Sequence, residues 1–371
     1  MRIAVIGAGP AGLAFAAAAK RLRPHWNITV WERAARADVS GLGVLFSAAA
    51  LESVQRDTPD LYASLIAEAV RWEHIDIHYR SQTITCPYTP FVAISRTRLL
   101  RILRNRCAAM AVDLRYGAPA PALEELTATH DLVAACDGAR SATRQTHAET
   151  FVPHLDERHC HYLWFGTEKT FDALTFVITE RDFGTVQTHA YPHGPTASTC
   201  IIELSPETWR HAGLTAPTED TDGTRAHADN LRWCQDILAD HLDGHPLRPQ
   251  HSHWTRFTTV RNQSWRHRNV VLLGDAAHTT HFSTGSGTRL ALEDAYTLAN
   301  CLHHHPGVPD ALAAYEAQRR PLITAAQRIA QDSLEWFEQI THYTGQEPSQ
   351  FATSLLNRAQ FDRPTTNRAA G

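Results

Sequence analysis

The sequence predicts an α/β fold in which a parallel-sheet domain is interrupted by an inserted antiparallel β-sheet domain and followed by C-terminal helices. Three observations carry this. Residues 1–32 run through an apolar strand, a glycine-rich turn, an alanine-rich helix and a second strand. From 151 to 205, apolar stretches follow one another with only polar turns between them. Near 269 the chain returns to a strand followed by a helix. At 371 residues the chain is long enough for two cooperating domains and a large buried ligand.

Taken in order, Arg2 to Ile6 reads as a buried strand, Gly7 to Gly12 as a tight turn, Leu13 to Leu22 as a helix and Asn27 to Glu32 as the next strand. A parallel pair needs such a crossover helix. Helical patterns follow at Leu51 to Val70 and Arg96 to Met110, and strands at Ile75 to Tyr79, Val112 to Arg115 and Asp131 to Cys136. The inserted sheet is expected from Tyr162 to Phe165, Leu174 to Thr179, Thr185 to Ala190 and Thr199 to Leu204. Asn269 to Leu273 is the returning strand and Leu290 to Leu302 its helix. Beyond 304 the pattern is helical, with Pro321 breaking one run and a polar tail after about Arg358. The expected division is 1–74, 91–150 and 266–303 for the parallel-sheet domain, 75–90 and 151–265 for the inserted sheet, and 304–371 for the helical segment with its tail.

Composition narrows the partners. A net charge of −4 without any run of like charges argues against nucleic acid and anionic lipid. The apolar stretch from Ile3 to Ala19 is interrupted by Gly7, Gly9, Pro10 and Gly12, and no segment reaches the roughly 20 apolar residues of a membrane span. Seven cysteines, odd in number and lacking a Cys-x-x-Cys pair, read as reduced thiols, so a cytoplasmic location is expected. The 23 histidines do not form a metal-ligand pattern: His303, His304 and His305 precede Pro306 and Gly307 and read as a solvated helix end, so no metal is expected.

Gly7-Ala8-Gly9-Pro10-Ala11-Gly12 fits the dinucleotide fingerprint of a Rossmann-like unit. The first glycine permits the turn, the second lets the backbone approach a pyrophosphate, and the third lets helix and strand pack closely. The phosphate then lies at the positive helix N-terminus, against free amides. Twenty residues after Gly12, Glu32 ends the next strand, with Arg33 beside it. An acid there accepts hydrogen bonds from a ribose hydroxyl pair and disfavours a 2′-phosphate, so the site suits FAD or NAD.

Two further blocks follow strands: Asp137-Gly138-Ala139-Arg140-Ser141-Ala142-Thr143-Arg144 and Gly274-Asp275-Ala276-Ala277-His278. With the fingerprint, in this order, they resemble the single-component FAD-dependent aromatic hydroxylases of the p-hydroxybenzoate hydroxylase type. The wording of Gly41 to Ser47, Trp164 to Glu180, His189 to Leu204 and Gly274 to Ala295 is most similar to the salicylyl-CoA hydroxylase and violacein-pathway tryptophan hydroxylase branch. The resemblance spans about residues 1–340 and implies a Rossmann-like FAD-binding domain. It further implies Asp275 on the ribityl chain or pyrophosphate of FAD, with the Ala276 and Ala277 amides beside it. Asp137, with Arg144 behind it, would serve the motif linked to FAD and NAD(P)H, and Arg96 would lie near the flavin. Phe282 stands where the wider family has proline, giving the pocket an aromatic floor.

Gly285-Ser286-Gly287 before a helix starting near Thr288 forms a second nest of amides for the flavin's pyrimidine edge, or simply a helix-cap loop. Thr185, Gln187, His189 and Tyr191 share one face of a strand, directed at either the pocket or solvent. If they face the pocket, Gln187, His189 and Tyr191 bind substrate together with Phe282. A satisfied surface histidine is the competing reading for His189. His281 is the candidate catalytic group, because imidazole chemistry suits positioning or deprotonating a substrate.

The chemistry implied by the family is reduction of FAD by NADH or NADPH, addition of O2, and transfer of oxygen from a flavin C4a-hydroperoxide to an aromatic or indolic ring, an acyl thioester or amino-acid derivative of secondary metabolism. With one fingerprint only, NAD(P)H must bind transiently. The alternatives are a flavin-dependent halogenase or oxidase, or a non-catalytic flavin-binding redox sensor. Neither Lys20 nor Lys169 lies in a halogenase-like context.

Overall fold

The computed structural model describes residues 1–35, 42–214, 223–250 and 253–359. Gly41 of the segment noted above and the polar tail from 360 onward lie outside them. The chain opens with β1 (Arg2–Ile6), α1 (Pro10–Leu22), β2 (Asn27–Glu32) and β3 (Gly43–Ser47). Next come α2 (Ala48–Asp57), α3 (Pro59–Ile66), β4 (Val70–Tyr79), β5 (Gln82–Ser95), α4 (Arg96–Ala109) and β6 (Asp113–Tyr116). They lead into α5 (Leu123–Thr129), β7 (Leu132–Ala135), α6 (Ala142–Thr146) and α7 (Ala148–Phe151).

The central part is strand-rich: β8 (Pro153–Thr167), β9 (Leu174–Arg181), β10 (Gly184–Gly194) and β11 (Ala197–Leu204). It continues through α8 (Pro206–His211), α9 (Gly223–Ile237), α10 (Ala239–Leu242), β12 (Leu247–Pro249) and β13 (Thr255–Asn262). The last elements are β14 (Arg266–His267), β15 (Val270–Leu272), α11 (Gly287–His304), α12 (Val308–Glu338) and α13 (Pro348–Asn357).

Two sheets organise these elements. The smaller has the order β14-β15-β7-β1-β2-β6 and is parallel except for the β14–β15 pair. The larger runs β12-β8-β11-β10-β9-β4-β5-β3, with β13 also on β8. It is antiparallel throughout except where β4 meets β9, which departs from the purely antiparallel expectation. Hydrogen bonding also places β3 and the ends of β4 and β5 in the larger sheet, segments expected with the parallel one.

Three helix expectations are corrected. The glycine turn is shorter than expected, because α1 starts at Pro10, whose missing N–H costs nothing at a helix start. The expected helix Leu51–Val70 is two helices divided at Thr58, since the residue before Pro59 is pushed out of the α region (φ −148°, ψ 69°). Pro321 does not break its run, and α12 continues through it over 31 residues. Pro321 and Ala317 lie on the exposed face, so the carbonyl that loses its helical donor meets water.

Strand β10 is buried along almost its whole length on both faces. One face joins a cluster with Phe176, Ile201, Trp336 and Phe337, the other a cluster with Cys200, Ile202, Cys234 and Leu238. The residues left open between pocket and solvent are therefore interior: Thr185, Gln187, His189 and Tyr191 are all buried. Among the described residues no helix is long and apolar enough to cross a membrane.

Candidate active site and flavin cradle

The cradle is built where the three motif blocks meet at the ends of β1, β7 and β15. Gly7 has φ 101°, and a Cβ there would sit 2.4 Å from the Cys136 carbonyl oxygen. A Cβ on Gly12 would sit 2.1 Å from the Gly7 oxygen, so α1 can approach β1 only as glycine. Gly9, in contrast, faces open space. It caps α1 without any side-chain hydrogen bond and there is no acid in the first turn, leaving the amides of Ala11 and Gly12 to an anion. Glu32 accepts from the Ala8 amide (3.0 Å) and the Ala34 amide (2.9 Å), which fixes the turn against the end of β2. Arg33 is exposed beside it.

The second block is tied to the third. Asp137 accepts from the Thr143 amide at 3.1 Å through Oδ2, while its buried Oδ1 has no hydrogen-bond partner among the described residues. Arg144 is 1% exposed and donates to the Ala276 carbonyl at 3.0 Å. Gly274 has φ 57°, and its missing Cβ would come 3.1 Å from Ala11 Cβ and 3.3 Å from Ala291 Cβ, so α1 and α11 converge on this turn. Asp275 is exposed at this turn. Desolvation by the surrounding protein pushes its carboxyl up, and Arg96, at the start of α4, opposes that only in part.

Beneath the turn lies a charge network that the motifs did not disclose. Asp294, fully buried on α11, accepts from the Gly274 amide (3.1 Å), pairs with His278 Nε2 (2.7 Å) and takes Arg319 Nε from α12 (2.8 Å). Burial alone would raise its carboxyl, but His278 and Arg319 outweigh that and hold it below the usual range. At the far side, Gly285 has φ 62° and faces Leu45. Ser286 caps α11 without a side-chain bond, so the amides of Gly287 and Thr288 remain available.

Between Gly274 and Gly285 the chain presents His281 and Phe282 to the larger sheet. The Phe282 ring lies 4.9 Å from Tyr162, 5.7 Å from Trp164, 5.9 Å from His189 and 6.2 Å from Phe257, centroid to centroid. His189 in turn packs on Phe176 (5.0 Å) and Phe337 (4.6 Å). Burial, with Arg358 and His281 nearby, holds His189 well below its ordinary value, hence neutral. His281 is buried and its Nδ1 lies 2.9 Å from Ser283 Oγ, which lies 2.8 Å from Ser333 Oγ on α12.

The structure brings His281, Phe282, Gln187 and His189 together. It uses Tyr191 differently, as its hydroxyl donates to the Gly43 carbonyl at 2.9 Å and braces β3 against β10. Members of this cluster not singled out in sequence include Glu203, Phe337 and Arg358. Arg358, expected as the start of a polar tail, is buried with its guanidinium 4.9 Å over both Phe176 and Phe337 and donates to the Ser283 carbonyl at 3.3 Å. A charged residue inside the otherwise apolar run Cys200 to Leu204 was the available signal for Glu203.

These features fit FAD: open amides at two helix starts, a glycine approach with nothing in its way, an orphaned buried Asp137 oxygen and an exposed acid at the Gly274 turn. The sequence profile of the family described as "FAD binding domain" matches residues 122–330. Salicyloyl-CoA 5-hydroxylase of Streptomyces sp is 38% identical over 97% of this chain and 70% of its own length. The chain belongs to the FAD-dependent aromatic monooxygenases.

This monooxygenase is also 38% identical to 3-hydroxy-4-methyl-anthranilyl-[aryl-carrier protein] 5-monooxygenase of Streptosporangium sibiricum, over 92% of this chain and 90% of that one. Protodeoxyviolaceinate monooxygenase of Chromobacterium violaceum is 29% identical over 96% and 94% of the two chains. Among solved structures, the tetrameric form of 2-methyl-3-hydroxypyridine-5-carboxylic acid oxygenase superposes with a TM-score of 0.71 at 18% identity, covering 91% of this chain and 92% of that one. At that identity the likeness carries the fold alone.

Proposed function

We propose that this monooxygenase hydroxylates an aromatic or indolic ring that carries an acyl group, as a thioester or amino-acid derivative, using NADH or NADPH and O2. The observation that carries this is a buried aromatic cluster with a polar end, packed against the His281–Phe282 loop that follows the Gly274 turn. The two relatives at 38% identity, named for a CoA thioester and a carrier-bound acyl group, support the thioester form.

In this reading the amides around Gly7, Gly9, Pro10, Ala11 and Gly12 hold the pyrophosphate, Glu32 and Arg33 the adenosine end, and Arg96, Asp137, Asp275 and Ala276 the middle of FAD. Gly285, Gly287 and Thr288 hold the ring end. The smaller sheet and α11 thus form the FAD-binding domain, and the larger sheet forms the substrate domain. The bound flavin supplies the oxygen-transfer chemistry. The protein's part is to hold and orient the ring and to exclude water. Phe176, Phe282 and Phe337 hold it flat and dry. His281 positions the ring substituent that carries the proton. Reduced thiols throughout suit a cytoplasmic enzyme.

The test is NADH and NADPH oxidation by the holoenzyme with two sets of probes, N-acetylcysteamine thioesters of salicylate-type acids and tryptophan-type amino acids, with product analysis. A hydroxylated product from either set is expected. Cofactor oxidation that yields hydrogen peroxide alone with every probe overturns the reading.

A further inference from the structure

The aromatic cluster read above as the substrate site has a polar end that the family motifs do not account for. Gln187 and His189 on β10, Glu203 on β11 and His281 on the loop before Phe282 converge there. Antiparallel register sets Gln187 opposite Glu203 and His189 opposite Ile201, so the three strand residues project from one face of the sheet. Gln187 and Glu203 are each 1% exposed, His281 2% and His189 3%. His281 Nε2 lies 3.5 Å from Glu203 Oε1, and His189 Nε2 lies 3.8 Å from Glu203 Oε2. Both exceed ordinary hydrogen-bond lengths. Accordingly Gln187 Oε1, His189 Nε2, Glu203 Oε2 and His281 Nε2 are all buried without a hydrogen-bond partner among the described residues.

Such a cluster is costly as architecture. A buried carboxylate is normally answered by several close donors, as Asp294 is answered by Gly274, His278 and Arg319. At Glu203 two imidazoles are held just out of reach, Tyr162 lies opposite on β8, and the buried Arg358 guanidinium acts on it electrostatically while donating to the Leu355 and Ser283 carbonyls. The polarity of the missing partner can be worked out. His281 Nδ1 accepts from the Ser283 amide at 3.4 Å, so a neutral ring carries its proton on Nε2, toward Glu203 Oε1. Gln187 Nε2 donates to the Phe337 carbonyl at 3.4 Å, which turns Oε1 away from that carbonyl. Glu203 Oε2 and Gln187 Oε1 are therefore acceptors waiting for a hydrogen. The surrounding walls are the rings of Phe176, Phe282 and Phe337.

We propose that Glu203 is the specificity-determining residue of this pocket: Oε1 positions His281, while Oε2, with Gln187 Oε1, receives the hydrogen of a hydroxyl or N–H on the aromatic substrate. This rests on the reading that the substrate ring binds against Phe282. It selects rings by what they donate, independently of the acyl group they carry.

The test pairs probes that differ only in that donor, measured by calorimetric titration of the holoenzyme and by turnover. One pair is the N-acetylcysteamine thioesters of salicylate and benzoate, the other tryptophan and its benzothiophene analogue, in which sulfur replaces the ring N–H. The wild type is expected to bind the donor member of one pair at least about 10-fold more tightly, the scale of a hydrogen bond to a charged acceptor. In Glu203→Leu that preference should shrink to within about 3-fold; Glu203→Gln, which can still accept, should keep part of it. Retained flavin absorbance in Glu203→Gln controls for folding. An equal loss for both members of a pair makes Glu203 a packing residue and overturns the proposal alone, as does an undiminished preference in both variants. A wild type that binds neither pair removes the reading of the pocket and the proposal with it.

Discussion

The proposed cofactor cradle and the proposed substrate pocket are built from opposite materials. The cradle presents backbone amides and glycines, and the buried carboxylate beneath it, Asp294, is fully partnered. The pocket presents side chains, and its buried carboxylate, Glu203, retains an oxygen without a hydrogen-bond partner. A cofactor that stays bound can be met by a rigid, internally satisfied frame. A substrate that comes and goes needs groups whose satisfaction waits for it.

The largest effect should come from breaking the frame. Asp294→Ala strands Arg319 and His278 in the interior and should cost about 3–5 kcal/mol of unfolding free energy, with loss of bound FAD, read by urea unfolding and flavin absorbance. The pH dependence follows from the low folded value of Asp294. Its contribution is complete above the ordinary carboxylate range near about 3.9 and is lost as pH falls through the lower folded value, so wild type and variant should converge only in strong acid. Next, His281→Asn should leave FAD binding intact and lower kcat by about 10²-fold, the scale of a lost positioning contact at the reacting ring; an unchanged kcat would remove His281 from the chemistry. The smallest effect belongs to Tyr191→Phe. It leaves the Gly43 carbonyl without its donor, so about 1 kcal/mol of stability should go while the substrate KM stays near that of the wild type.

The same contrast explains what could be read in the sequence. The grouping of Gly7, Gly9, Gly12, Glu32, Asp137 and Asp275 at the strand ends could be read from sequence because tight strand–turn–helix junctions demand fixed residue types at short fixed spacings. The pocket was only half legible. Its alternating strand positions 185 to 191 could be grouped onto one face, but which face they occupy depends on α12 and the His281 loop, over 90 residues further on in the chain. Glu203, Phe337 and Arg358 come from three elements with no common spacing, so only folding brings them together. Pro321 misled for a related reason: whether a helix tolerates proline is decided by the exposure of one carbonyl, a tertiary property.

Helix α12 joins the two regions. Arg319 answers Asp294 in the cradle, and Phe337 walls the pocket. The interval between them is 18 residues by number, which at about 3.6 per turn is five whole turns and about 27 Å. The helix is thus a ruler graduated in full turns, and both marks fall on the same side. One residue inserted between them would swing Phe337 through about 100° and lift it from the aromatic wall, while Arg319 stayed in place. Evolution can therefore recut either end of this enzyme by substitution, but the distance between its two sites can change only in steps of whole turns.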